Sequence, residues 1–112
     1  MTTKQEIIRD TIEYYCDTKD DRFSYDPQHG CMYRAGNRRC ALARYIPDDL
    51  YCPSFEGRGA QHIVAILGER LPFSYDVSFW ELLQEIHDSA AAGGTPLAER
   101  KLRARARWEA ML

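Results

Sequence analysis

Apolar positions recur with helical spacing in four parts of this chain and alternate like a strand near its middle. Ile8, Ile12 and Tyr15 share one face, with Ile7, Thr11 and Tyr14 beside it. Thr3 followed by Glu6 reads as a capping box, so a helix is predicted over residues 4–17. Cys16 lies one turn past Ile12 and is expected in the core. Ala60, Ile63, Val64 and Leu67 repeat at i, i+3, i+4 and i+7, which predicts a second helix closed by Gly68. Phe79, Leu82, Leu83, Ile86 and Ala90 form the cleanest stripe, capped by Asp76 or Ser78, and all are expected to be buried. Thr95 and Pro96 suit the N-cap and first turn of a last helix over residues 96–111, hinged at Gly93-Gly94.

The middle reads differently. Residues 31–34 and 39–43 are short runs carrying Cys, Tyr and Leu, and Gly36-Asn37 between them tolerates the positive φ of a two-residue hairpin turn. That register sets Tyr33 against Cys40 and Cys31 against Leu42, with these four on the core face and Met32, Arg34, Arg39 and Ala41 on the other. Phe23-Ser24-Tyr25 is short and aromatic and offers a third strand, ended by Asp26-Pro27. After the hairpin, Pro47 opens a short turn carrying Asp48 and Asp49, and Pro53, Gly57 and Gly59 break the chain again. Backbone that folds this often needs side-chain partners, so Asp48, Asp49 and Glu56 are expected to cap it rather than catalyse.

The predicted class is α+β: one domain over residues 1–112, with about four helices on a small antiparallel hairpin or three-stranded sheet. At 45% hydrophobic residues the chain can bury a small core, and no apolar run approaches the roughly 20 residues of a membrane span. The N-terminal residues Met-Thr-Thr-Lys-Gln-Glu lack the apolar segment of a signal peptide, so a cytoplasmic protein with four reduced thiols and no membrane association is expected. The net charge of −2 is unevenly spread. Residues 1–26 carry seven acids against four bases, and residues 97–112 carry five bases against two acids.

Several chemistries draw on parts of this pattern. Cys31, Cys40 and Cys52, with His29, His62 and His87, lack the paired spacing of a zinc site, so neither a metal nor another cofactor is expected. A hydrolase pairing Cys31 or Cys40 with His87 is an alternative carried by no local signature. His87, at the edge of the third stripe, is also a candidate ligand-binding group, though a structural role suits it as well. Arg34, Arg38 and Arg39 cluster at the hairpin turn and Arg103 and Arg107 lie in one helical row, making these the candidate contacts for an acidic partner. The same row suits phosphates, so a small nucleic-acid-binding or regulatory protein is the other alternative. Glu99 before Arg103 and Arg105 before Glu109, each at i,i+4, would neutralise part of it.

Cys31-x-Tyr33-Arg34, Cys40-Ala41, Ile46-Pro47-Asp48-Asp49-Leu50-Tyr51, Glu56-Gly57 and Leu83-Gln84-Glu85-Ile86-His87-Asp88 together form a pattern. It resembles that of a group of short proteins encoded by tailed phages and prophages. The similarity covers residues 31–88. This chain has Tyr45 where the group has Leu, and Leu42-Ala43 where it has a Gly soon after Cys-Ala. The resemblance implies an origin rather than a mechanism. With it, the expected function is binding: a phage-encoded factor in the host cytoplasm that meets a host protein, for instance to inhibit a defence system. A homodimer is compatible with the same surface.

Overall fold

The fold is α+β, four helices packed against two small antiparallel hairpins, and the computed structural model describes residues 2–112. Helix α1 spans Lys4–Cys16, and the Glu6 N–H donates to Thr3 Oγ1 at 3.0 Å as the capping box requires. It buries Ile7, Ile8, Thr11, Ile12 and Tyr15, while Cys16 is only half-buried and donates to the Lys101 carbonyl.

Four two-residue strands follow: β1 Tyr25–Asp26, β2 Gly30–Cys31, β3 Arg34–Ala35 and β4 Arg38–Arg39. Gly36, at φ 63°, makes the predicted turn between β3 and β4, and Arg34 pairs with Arg39. The register agrees as far as Cys40, whose N–H donates to the Tyr33 carbonyl at 3.0 Å. It does not continue to Leu42. Cys31 pairs with Tyr25 instead, so the third strand makes its own hairpin and does not widen the first. Past Arg39 the chain coils into a 3₁₀ turn at Ala43–Tyr45, which also buries Ala41, expected on the open face.

The segment between the hairpins and the next helix runs in turns. Pro47 accepts the N–H groups of Leu50 and Tyr51 on its carbonyl, and a 3₁₀ turn covers Pro53–Phe55. Helix α2 spans Ala60–Leu67, and Gly68 closes it at φ 53°, a conformation that suits glycine.

Helix α3, Val77–Ala91, starts at Asp76, whose carboxylate accepts the Phe79 N–H. Its buried face is rotated from the predicted stripe. Trp80, Gln84 and His87 are inside with Phe79, Leu83, Ile86 and Ala90, whereas Leu82 is 40% exposed. The stripe counted only aliphatic and aromatic positions of one row. The true inner face has a polar row beside it, and that row is what the hairpins dock on.

Helix α4 spans Leu97–Glu109, and Pro96 rather than Thr95 stands at its N-cap. It does not hang beyond the glycine pair. Trp108 is fully buried, stacks near Tyr15 and donates its indole N–H to the Leu83 carbonyl at 3.3 Å. Tyr15, Phe23, His87 and Trp108 form one aromatic cluster where α1, α3 and α4 meet. The opposite charges of the two ends meet here as well. Asp17 pairs with Arg105 and Asp21 with Arg100, and the buried Lys101 ammonium donates to the carbonyls of Thr18 and Asp20 past the C-terminus of α1.

No helix among the described residues is long and apolar enough to cross a membrane.

Candidate functional site

The predicted site residues fall into three places. Arg34, Arg38 and Arg39 are half-buried at the β3–β4 hairpin, not freely exposed at its tip. Arg34 lies over the Tyr51 ring at 4.2 Å, and both Arg34 and Arg39 donate to Asp48 Oδ1 at 2.9 Å. Arg38 reaches back to the Tyr25 carbonyl at 3.3 Å, tying one hairpin to the other. Glu56 completes the arrangement by accepting the N–H groups of Tyr33 and Arg34, at 2.8 and 3.1 Å, and the Tyr51 hydroxyl at 2.5 Å. Burial, then the Glu56 carboxylate, pushes the Tyr51 hydroxyl up to about 12. Of the three acids expected to cap backbone, Glu56 does so, whereas Asp48 pairs with the side chains of Arg34 and Arg39 instead.

His87 is fully buried and offers no surface to a partner. Its Nε2 accepts the Ser24 N–H at 3.0 Å, which leaves the ring proton on Nδ1, facing Asp88 Oδ1 at 2.9 Å. Ser24, His87 and Asp88 stand in the order of a nucleophile, base and acid, but Ser24 joins by its backbone. Its hydroxyl is buried and without a partner. Neither Cys31 nor Cys40 is hydrogen-bonded to the same histidine. Cys31 donates to the Asp88 carbonyl at 3.5 Å, and burial and the Asp88 charge push it up to about 11. Cys40 is fully buried and held further above the ordinary thiol range by burial, so both stay protonated at neutral pH. Gln84 donates to Asp88 Oδ1 at 2.9 Å and accepts the Leu42 N–H at 3.0 Å. Gln84, His87 and Asp88 thus form a polar row on α3 that pins both hairpin segments. No group of three His, Cys, Asp or Glu side chains among the described residues could hold a metal ion.

Arg103 and Arg107 are the two candidates that face solvent beside a concave surface. A cleft of about 170 Å³ runs between α3 and α4, with Ile86, Ala90 and Ala104 in its lining. Arg103 is 70% exposed and meets Glu99 only at 4.0 Å, while Arg107 is 44% exposed and meets Glu85 at 3.5 Å. Arg100 also lines the cleft but is fixed, donating to the carbonyls of Thr95 and Ala90 at 2.9 and 3.0 Å. Arg105 turns to Asp17 and not to Glu109, as its i,i+4 spacing had suggested.

The floor of this cleft was not picked out from the sequence. Its signal is the small residues Ser89, Ala90 and Gly93, which line it with Ala104 where larger side chains would have filled the gap between the helices. No family model matches the chain, and neither a curated protein nor a solved structure matches it.

Proposed function

We propose that this protein works by binding, and that it engages an acidic partner through the α3–α4 face, with Arg103 and Arg107 as the charged contacts. One observation carries this reading: these two arginines are exposed and loosely paired beside an apolar cleft, while Arg100 is held against backbone carbonyls and Arg105 turns away to Asp17. An exposed arginine beside an apolar depression is the combination in which interface arginines contribute most. The hairpin arginines, half-buried and tied to Asp48 and Tyr25, have less to give a partner.

The resemblance to short tailed-phage proteins supports placing that partner in a bacterial host, and inhibition of a defence component is the concrete form of the proposal. The competing nucleic-acid reading draws on the same Arg103–Arg107 row. Glu99 lies in that row and Glu85 faces it from α3, and the mostly apolar cleft beside them favours a protein contact over a phosphate track.

The test is affinity capture from bacterial lysate, with wild-type protein and the double variant Arg103→Glu with Arg107→Glu run in parallel. Both substituted residues are exposed, so the fold is expected to survive, which circular dichroism checks. Loss of the captured protein by the variant, with no steep dependence on salt and no nucleic acid recovered, is the expected result. Equal capture by the folded variant would end the reading. Recovery of nucleic acid with steep salt sensitivity would transfer the surface to phosphates.

A further inference from the structure

The cleft between α3 and α4 has a size and a chemistry that narrow its occupant. Its volume is about 170 Å³ and its surface is mostly apolar, with Ile86, Ala90, Gly93 and Ala104 contributing. Small-molecule and cofactor sites run to roughly 300–1,000 Å³, so a metabolite of ordinary size would not be enclosed here. An apolar cavity of about 150 Å³ accommodates one benzene-sized group, which is the bulk of a single apolar side chain. Two guanidinium groups border this space, and the third, Arg100, is locked against the carbonyls of Thr95 and Ala90 as a fixed wall. Thr95 adds a buried hydroxyl that the fold leaves without a hydrogen-bond partner.

We infer that this cleft seats one apolar side chain of an acidic peptide segment, with Arg103 and Arg107 receiving carboxylates on either side of it. The inference rests on the binding reading just given and names the chemistry its site would take. Charge complementarity selects the acidic flanks. The mostly apolar lining selects the anchor and disfavours nucleic acid, because a phosphate track gains nothing from an apolar depression. The fixed wall matters too. A cleft already held open by Arg100 needs little rearrangement to accept a side chain, which lowers the ordering cost of binding.

The experiment uses the full chain labelled with ¹⁵N and a set of end-blocked decapeptides of Glu and Asp. These carry at the centre a single Leu, Phe or Ala, or no apolar residue. The Leu or Phe peptide is expected to shift the amides of Ala90, Arg103 and Ala104. Replacing the anchor by Ala should weaken binding by roughly 10-fold or more, the usual discrimination of an apolar pocket. Arg103→Glu with Arg107→Glu should abolish the shifts while the rest of the spectrum stays in place. Equal affinity for the anchored and Ala peptides, shifts confined to other surfaces, or displacement of the peptide by a single-stranded oligonucleotide would each overturn the inference. If the peptides fail while capture from lysate still depends on the two arginines, the anchor falls and the binding reading stands. If capture ignores the arginines, the binding reading falls whatever the peptides do.

Discussion

The backbone N–H of Ser24 ends on Nε2 of His87, 3.0 Å away and 63 residues along the chain. This contact, with the ring packed against the stacked Tyr15 and Phe23, makes His87 a brace for the segment leading into β1. His87→Ala leaves both a cavity and an unpartnered buried donor, so the expected loss is about 2–5 kcal/mol. His87→Gln can return an acceptor oxygen to the Nε2 position and should lose less. Urea denaturation of the two variants measures the difference. Equal losses would show that ring packing outweighs the acceptor.

Leu82 and Leu83 are neighbours in sequence and opposites in environment. Leu83 is fully buried, and Leu83→Ala should cost about 2–5 kcal/mol. Leu82 lies largely on the surface, and Leu82→Ala should change stability by about 0.5 kcal/mol or less. Thermal melts of the pair test the rotation of α3 directly. Similar losses at both positions would contradict it.

The four thiols should react with iodoacetamide in a fixed order. Cys52 is exposed, and its hydrogen bond from the Ser54 hydroxyl at 3.2 Å draws its pKa below the ordinary thiol value, so it reacts first. Cys16 and Cys31 are half-buried and shifted upward by burial, so they follow slowly. Cys40, enclosed in the core, should be labelled only on unfolding. Mass spectrometry of partially alkylated native protein gives the order. Early labelling of Cys40 would mean that the core at the hairpin opens readily.

Helix α4 belongs to the core, so Trp108→Ala should lower stability by about 3–5 kcal/mol, as loss of a buried tryptophan does. Gly94 has open space around its α-carbon and no positive φ. Gly94→Ala should therefore be neutral or stabilise by up to about 1 kcal/mol through the unfolded chain. Chemical denaturation reads both. A marked loss for Gly94→Ala would contradict the open space around this residue.

Four helices, the Gly36-Asn37 turn and the caps at Thr3, Asp76 and Gly68 were legible because each depends on a few adjacent residues. Strand pairing beyond the turn was not. Whether Cys31 faces Leu42 or Tyr25 is decided by where the chain coils after Arg39, which no local spacing records. The rotation of α3 was hidden for a similar reason. Gln84 and His87 count as polar in any periodicity, yet their hydrogen bonds to Leu42 and Ser24 make them core residues once the hairpins arrive. Among the candidate site residues, Arg103 and Arg107 were placed on one row correctly. The half-burial of Arg34, Arg38 and Arg39 depends on Asp48 and Tyr25, which only the folded chain brings to them.

Tyr15 near one end of the chain stacks close to Trp108 near the other, and this joining of first and last helices bears on how the protein is made. During synthesis α1 emerges early but cannot cover its inner face until α4 follows it out of the ribosome. Until then Tyr15 and Phe23 have no Trp108 to close over them, and the nascent chain carries a patch of bare aromatic surface. Closing a contact of such long sequence separation is slow compared with forming the helices themselves.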